Sequence, residues 1–162
     1  MELKYIIKEE DINKTVNDIL LDKFNFSNRL LSKLIKNKKI YFDDNIIDTR
    51  LKIDGPGIII VDLDFKEDNS NIIPIKMNLD IIYEDEWMLI VNKPAGIPIH
   101  PSRLHFEDSL SNGIKYYFDS INLRKKIRPV NRLDLNTSGI VIFAKSEYIQ
   151  EQFSIQMSNR HL

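Results

Sequence analysis

The residues best suited to chemistry in this chain lie in one short segment, residues 130–146. A polar loop there carries a single carboxylate, Asp134, with Arg132 just before it and Thr137 just after it. An apolar strand is predicted from Gly139 onward. A carboxylate at the mouth of a sheet can act as a nucleophile or can stabilise developing positive charge. Taken alone, an aspartate at such a junction is more often an Asx turn or a cap.

A second group of chemically notable residues is basic and lies earlier in the chain. Apolar residues recur at helical spacing over residues 12–40, and Ser27 is predicted to cap a second helix over residues 28–37. Six basic residues and no acidic ones fall between residues 23 and 42. Three of them share a stripe of the second helix and two follow it: Arg29, Lys33, Lys36, then Lys38 and Lys39.

The elements that must position these residues fall into two regions. After the helices, residues 40–47 are predicted to form a hairpin, and residues 58–63 a buried strand after a glycine turn. Residues 64–80 are acidic, contain a proline and are predicted to be a linker. Further strands are predicted at 81–83, 88–91 and 139–145, with helices at 109–118 and 147–158.

The amino-acid composition excludes several kinds of site and of protein. The chain of 162 residues has no cysteine, which excludes disulfides, thiol catalysis and cysteine-ligated zinc. The formal net charge of −1 means that any nucleic-acid site must be a local patch. No apolar run approaches the roughly 20 residues that span a bilayer, and no secretory signal is visible, so a cytoplasmic location is predicted. His100 and His105 have the spacing of no standard metal site, so no metal is predicted.

The loop sequence resembles the catalytic motif of the RluA-type pseudouridine synthases, which isomerise uridine in RNA. The residues that match the motif are Arg132, Leu133, Asp134, Thr137, Ser138, Gly139, Ala144 and Lys145. A second matching stretch runs from Tyr83 to Gly96, followed by His100 and Pro101. The resemblance implies that Asp134 is the catalytic carboxylate and that no cofactor is required. It also implies that RNA, ribosomal or transfer, is the partner, with Arg132, Asn131 and Thr137 as candidate RNA contacts. Lys93 is a further candidate contact to the RNA backbone, and the alternative is that it simply flanks a tight loop.

The order of elements in the first region resembles the S4-type RNA-binding domain. In that family the second helix and the loop after it contact the RNA backbone, which implies this role for the five basic residues above. The fold is therefore predicted to be α+β. An S4-like domain over residues 1–63 precedes the linker, and residues 81–162 are predicted to be the first part of a mixed, mostly antiparallel pseudouridine synthase sheet.

One position departs from the family motif. Asn131 stands where the family usually has histidine before the arginine. Asparagine keeps an acceptor and two donors but cannot take up a proton near neutral pH. If this position only orients the loop, asparagine can serve; if it pairs with a phosphate as a cation, binding should weaken. For Arg128 the sequence favours neither of two roles, a contact with RNA or a solvated position on the surface.

The family pattern also contains a later tyrosine and a later basic residue that do not occur in these 162 residues. We therefore expect the chain by itself to be a truncated, inactive part of the catalytic domain. The strand 139–145 is expected to expose an edge and an apolar face, which favours self-association through the incomplete sheet.

Two other classes of function remain open from the sequence. A non-catalytic S4-type RNA-binding protein is favoured by Asn131 and by the missing later residues. A plain interaction protein is the third possibility, and it predicts no salt-dependent affinity for RNA. The intact loop around Asp134 favours the enzyme.

Overall fold

The computed structural model describes residues 1–159, and the chain divides into two compact units, Met1–Asp64 and Phe65–Leu162. Both units combine helices with a sheet whose strands are all antiparallel, as the predicted α+β class requires. None of the helices in the described part is long and apolar enough to cross a membrane. The cytoplasmic location stays a prediction.

The first unit is a four-stranded sheet with two helices. In chain order its elements are β1 (Glu2–Ile6), α1 (Val16–Phe24), α2 (Asn28–Lys36), β2 (Ile40–Phe42), β3 (Asn45–Ile46) and β4 (Ile58–Asp62). The strand order is β1-β4-β2-β3. The predicted cap of α2 is confirmed, because the Ser27 hydroxyl accepts a hydrogen bond from the Leu30 N–H at 3.2 Å. Strand β1 was not predicted, and it pairs along its whole length with β4.

The second unit is a three-stranded sheet with one helix buried against it. Its elements are β5 (Asp80–Glu84), β6 (Met88–Lys93), α3 (Leu110–Ser120), β7 (Gly139–Ala144) and α4 (Glu147–Ser158). The core lies between the sheet and α3 and consists of Leu89, Val91, Ile99, Leu110, Ile114, Phe118, Val141 and Phe143. Burial of this apolar surface is the main source of stability for the unit. The predicted strands and helices of this region are confirmed to within a few residues.

The segment predicted as a linker belongs to the second unit. No helix or strand forms over residues 65–79. Ile72 is nevertheless buried, and Met77 and Leu79 pack against the core of the second unit. The Ile75 N–H also donates a hydrogen bond to the Asn112 carbonyl at 3.1 Å. The predicted linker over 64–80 therefore packs on the second unit along part of its length, because Met77 and Leu79 contact the core and Ile72 is buried.

The edge of β7 is also different from what the sequence predicted. Residues 128–130 pair with β7 on the side away from β6: the Ala144 N–H donates to the Arg128 carbonyl at 2.9 Å and the Val130 N–H to the Ile142 carbonyl at 2.8 Å. The expected open edge is therefore covered over this stretch. An apolar face does remain exposed, with Tyr83 at 49% and Ile140 at 45%. Self-association through the sheet stays a prediction.

A buried carboxylate organises the start of the first unit. The Asp11 side chain is fully buried and accepts hydrogen bonds from the Tyr5 hydroxyl at 2.6 Å, the Lys8 N–H at 3.2 Å and the Lys14 ammonium at 3.1 Å. Burial by itself would raise the pKa of Asp11, but these three donors outweigh it and lower the pKa below its ordinary value. The ionised form is thus the one that the fold stabilises.

We predict that this carboxylate makes stability depend on acid pH. Because the folded pKa is lowered, its contribution is fully present above the unfolded pKa near 4 and is lost as the pH falls through the folded pKa. Asp11→Asn should lower the free energy of unfolding by about 2 kcal/mol at neutral pH, and by less in acid. Urea unfolding between pH 2.5 and 7 measures both.

The control is Asp44→Asn, which changes an exposed aspartate in a turn of the same unit. This variant should follow the wild-type curve across the whole pH range. A difference between wild type and Asp11→Asn that does not change with pH would contradict the prediction.

Candidate active site

The loop that carries Asp134 is the connection of a β-hairpin. Its two stems are residues 128–131 and β7, which are paired through the hydrogen bonds described above and through an antiparallel bridge between Pro129 and Phe143. The loop proper is therefore residues 132–138. Because both stems lie in one sheet, the loop is presented at the sheet's end, where the sequence predicted it.

Asn131 extends the stem with its side chain. Its amide nitrogen donates to the Ile140 carbonyl at 2.8 Å, and its amide oxygen accepts from the Ile142 N–H at 2.9 Å. The side chain thus imitates the N–H and C=O of a neighbouring strand. An imidazole cannot make the same pair of bonds, since its two ring nitrogens point in diverging directions. This geometry supports the orienting role of the two roles considered for position 131.

The far side of the loop is held by a buried lysine. Lys93 is 0% exposed, and its ammonium donates to the carbonyls of Pro94 at 2.8 Å, Ile97 at 2.8 Å and Leu135 at 3.1 Å. The Leu135 carbonyl also accepts from the Gly96 N–H at 2.8 Å. Burial lowers the pKa of Lys93. The residue that follows Asp134 is therefore attached to the loop that follows β6.

The buried position of Lys93 does not agree with its predicted role as an RNA contact. The Lys93 ammonium lies inside the protein with three carbonyl partners, so it is not available to a phosphate. Its sequence signal was the alternation of Leu89, Val91 and Lys93 along β6, which places all three side chains on the buried face. The prediction of an RNA contact followed from the positive charge of lysine and did not take this alternation into account.

Asp134 itself is exposed at the tip of the hairpin. Its backbone carbonyl accepts from the Thr137 N–H at 3.1 Å, which closes a turn. Within residues 1–159 the Asp134 carboxylate has no hydrogen bond or ion pair, and neither does the Arg132 guanidinium. The structure therefore brings Arg132, Asp134 and Thr137 onto one loop as exposed groups. Arg132 and Asp134 do not form an ion pair with each other in the described part of the chain.

The neighbourhood of Arg132 includes one histidine. Loss of solvent around His100 and the positive charge of Arg132 both lower the pKa of His100 below its ordinary value. His100 is thus neutral at physiological pH, and the positive charge beside it comes from Arg132. Among the described residues no cluster of three or more histidine, aspartate or glutamate side chains is arranged to hold a metal ion.

The turn from the loop into β7 requires glycine. Gly139 has a φ of +142°, which side chains rarely adopt, and a Cβ atom there would lie 3.4 Å from the Leu133 Cδ1. A residue other than glycine would strain the backbone just where the loop joins the strand. The glycine of the loop motif therefore has a structural reason.

The loop as a whole presents the Asp134 carboxylate to solvent, because the contacts that hold the loop are made elsewhere along it. Asn131, Lys93 and the Gly96 N–H hold the backbone on both sides, while the side chains of Arg132, Asp134 and Thr137 face solvent. An accessible carboxylate on a fixed backbone can attack an electrophilic carbon, accept a proton or stabilise a cation. An exposed guanidinium beside it can bind a phosphate.

The basic residues of the first unit occupy one helix and its C-terminal end. Arg29, Lys36 and Lys38 are exposed, and Lys33 is partly exposed. Lys39 instead forms an ion pair with Asp62, and its ammonium also donates to the Asp64 carbonyl at 3.2 Å. The charge of Lys39 is therefore partly compensated by Asp62.

Arg128 was open between RNA contact and solvated surface, and neither description fits. Its guanidinium is buried and forms two hydrogen bonds of 2.6 Å to the carboxylate of Glu67. Sequence reasoning missed this pair because the partners are 61 residues apart and Glu67 lies in the segment taken for a linker.

The comparison with protein families identifies this part of the chain. The model of the RNA pseudouridylate synthase family matches residues 87–162, a range that contains both the Lys93 loop and the Asp134 hairpin. Human RNA pseudouridylate synthase domain-containing protein 4 aligns over 50% of this chain and 30% of its own, at 19% identity and a TM-score of 0.42.

Individual relatives agree with the family match. Ribosomal large subunit pseudouridine synthase D of Neisseria meningitidis is 31% identical over 135 residues, which are 83% of this chain and 36% of the relative. The enzyme of the same name from Borreliella burgdorferi is 31% identical over 152 residues, 86% of this chain and 42% of the relative. The uncharacterised RNA pseudouridine synthase YhcT of Bacillus subtilis is 29% identical over 160 residues, 99% of this chain and 53% of the relative.

The chain thus spans between 36% and 53% of the length of these relatives. The family match lies on the segment that holds the exposed carboxylate, and these relatives extend the similarity over most of the chain. On these grounds residues 87–162 of the chain belong to the RNA pseudouridylate synthase family.

Proposed function

We propose that the intact protein converts uridine to pseudouridine in structured RNA and that Asp134 is the catalytic carboxylate. The observation that carries the proposal is the exposed Asp134 on a hairpin loop whose backbone is fixed on both sides, inside the segment matched by the family model. The two relatives named as ribosomal large subunit synthases favour ribosomal RNA as the first substrate to test, with transfer RNA as the alternative.

The reaction suits a site built from one carboxylate. The bond between N1 of uracil and C1′ of the ribose breaks, the base turns, and a bond forms between C5 and C1′. C5 then loses its proton and N1 gains one, so the product is an isomer and no electrons are transferred. Cleavage builds positive charge at C1′, as in glycoside hydrolysis. A carboxylate beside C1′ stabilises that charge or bonds to the carbon.

Three roles for Asp134 are compatible with this balance. The carboxylate can attack C1′ of the sugar, attack the base, or promote loss of a proton from C2′. Each requires that the target nucleotide leave its stack, which costs a few kcal/mol and is offset by contacts in the pocket. Arg132, exposed beside Asp134, is our candidate to bind a phosphate or to occupy the place of the displaced base. Thr137 is a further candidate contact on the same loop.

The first unit is our candidate for general RNA affinity. The element order α1, α2, β2, β3, β4 resembles an S4-type domain, and α2 presents Arg29, Lys33 and Lys36 along one stripe. Such a patch binds the phosphate backbone with little sequence preference. Because the formal net charge of the whole chain is −1, an RNA site of this kind must be a local patch.

The first test of the proposed function concerns the Asp134 carboxylate. Asp134→Asn should reduce pseudouridine formation by roughly 1,000-fold or more, because the isosteric amide cannot stabilise a cation or act as a nucleophile. RNA affinity should stay within about twofold of wild type. The assay expresses the protein from its own gene in a host lacking its large-subunit synthases and maps pseudouridine in the ribosomal RNA by mass spectrometry.

The control is Glu107→Gln, which changes another exposed carboxylate of the second unit. It should leave pseudouridine formation unchanged. If wild type and Asp134→Asn give the same pseudouridine map while both bind RNA, the alternative of a non-catalytic S4-type RNA-binding protein is favoured. The same assay on residues 1–162 alone tests the expectation that this part is inactive.

The second prediction concerns the basic helix. Replacing both Lys33 and Lys36 by glutamate should weaken binding to a structured ribosomal RNA fragment and reduce the salt slope of log K by about 1.5, since two phosphate contacts are lost. Filter binding between 50 and 300 mM potassium chloride measures both quantities. The matched control, Lys52→Glu with Lys76→Glu, changes the net charge equally at exposed positions outside α2. Equal slopes for the two double variants would argue against an RNA site on α2.

The third prediction concerns Asn131. Asn131→Asp keeps an acceptor for the Ile142 N–H but turns a carboxylate oxygen toward the Ile140 carbonyl, where the two repel. We expect a loss of about 1–3 kcal/mol in stability of the second unit and slower pseudouridine formation with unchanged RNA affinity. Asn78→Asp, at an exposed position outside any helix or strand, is the control. Weakened RNA affinity at an unchanged rate would instead support a direct contact of Asn131 with RNA.

A further inference from the structure

The second unit contains a buried ion pair that the proposed chemistry does not use. Glu67 accepts two hydrogen bonds of 2.6 Å from the Arg128 guanidinium, one on each carboxylate oxygen, and both side chains are 9% exposed. A paired guanidinium and carboxylate in this geometry satisfy each other's donors and acceptors. The Glu67 carboxylate also accepts from the Lys126 N–H at 3.3 Å. Removing either partner of the ion pair would leave the other buried charge without its main counterpart, which is unfavourable.

The ion pair lies among several hydrogen bonds that join residues 65–69 to residues 124–128. The Glu67 N–H donates to the Arg124 carbonyl at 3.0 Å, and the Asn69 side chain donates to the Lys125 carbonyl at 3.0 Å. The buried Lys125 ammonium donates in the other direction, to the Phe65 carbonyl at 2.8 Å. Residues 65–69 are thus attached along the whole of residues 124–128.

Arg128 is also the first residue of the stem that presents the catalytic loop. Its carbonyl accepts from the Ala144 N–H at 2.9 Å, and the pairing with β7 continues through Val130 and Asn131 to the start of the loop. Residues 128–131 contribute no side chain to the core of the second unit, although Ile127 and Leu133 on either side of the stem pack against it. The side chain of Arg128 fixes it from one side, and the hydrogen bonds to β7 fix it from the other.

We propose that Glu67 is a positioning residue for Asp134. It holds Arg128, Arg128 holds the stem 128–131 against β7, and the stem sets where the Asp134 carboxylate stands relative to the target nucleotide. The inference rests on the proposed function for its catalytic consequence, whereas its structural part stands on the contacts alone. Glu67 lies outside the residues matched by the family model, 87–162, and so is not part of the matched motif.

The test uses the protein expressed from its own gene with Glu67→Gln, which keeps the shape of the side chain and removes its charge. We expect the single-turnover rate at saturating ribosomal RNA to fall by about 100-fold, because a small displacement of a reacting group has an effect of this size. The RNA dissociation constant should remain within about twofold. Amide hydrogen exchange should become faster within residues 128–142 and remain unchanged in α3.

Asp68→Asn is the matched control, since it changes the neighbouring, exposed carboxylate. It should match wild type in all three measurements. The double variant Glu67→Gln with Arg128→Gln removes both charges, so it should restore part of the slow exchange that is lost in Glu67→Gln alone. If Glu67→Gln does not fold, Glu67→Asp keeps the charge on a shorter side chain and should show the same localised change in smaller measure.

Two results would overturn the inference. One is unchanged exchange in residues 128–142 in Glu67→Gln. The other is faster exchange spread evenly over the second unit, which would mean that the pair only adds stability. If wild type forms no pseudouridine, the proposed function fails, but localised faster exchange in Glu67→Gln would still support the attachment of the stem by Glu67.

Discussion

The Leu135 carbonyl accepts two hydrogen bonds, one from the buried Lys93 ammonium and one from the Gly96 N–H, and the geometry of the loop depends on them. Side chains of the loop 132–138 are mostly exposed, although Leu133 packs against the core of the second unit. The rest of the loop is held by polar attachments of its backbone. Burying the ammonium is unfavourable by itself, and three carbonyl partners offset that cost.

The two ends of the loop are fixed by different means. On one side the stem 128–131 is paired with β7 and extended by the amide of Asn131. On the other side Gly139 turns the chain into β7 with a positive φ. Lys93, at the end of β6, donates a hydrogen bond to the Leu135 carbonyl, so the backbone around Asp134 is held from three directions. The reactive side chain is then free to be exposed without being displaced.

The sequence predicted the elements better than the contacts between them. Strand and helix positions in the second unit follow from periodicity and from caps such as Ser146, which depend on neighbours in the chain. The Glu67–Arg128 pair and the burial of Lys93 depend on residues far apart in the chain, and periodicity gives no information on such pairs. Strand β1 was missed although Leu3 and Tyr5 alternate with polar residues, because the stretch is short and strongly charged. Asp134 was found because its motif is local.

The hairpin that carries Asp134 also limits how this chain can vary in length. The stem 128–131 is in register with β7, which is itself in register with β6, and side chains of a strand alternate between its two faces. An inserted or deleted residue in 132–138 would either shift the stem by one position, which turns Asn131 away from Ile140 and Ile142, or distort the turn at Asp134. Related chains that keep the chemistry should therefore keep the length of this loop, while their differences in length accumulate in exposed segments such as residues 102–108.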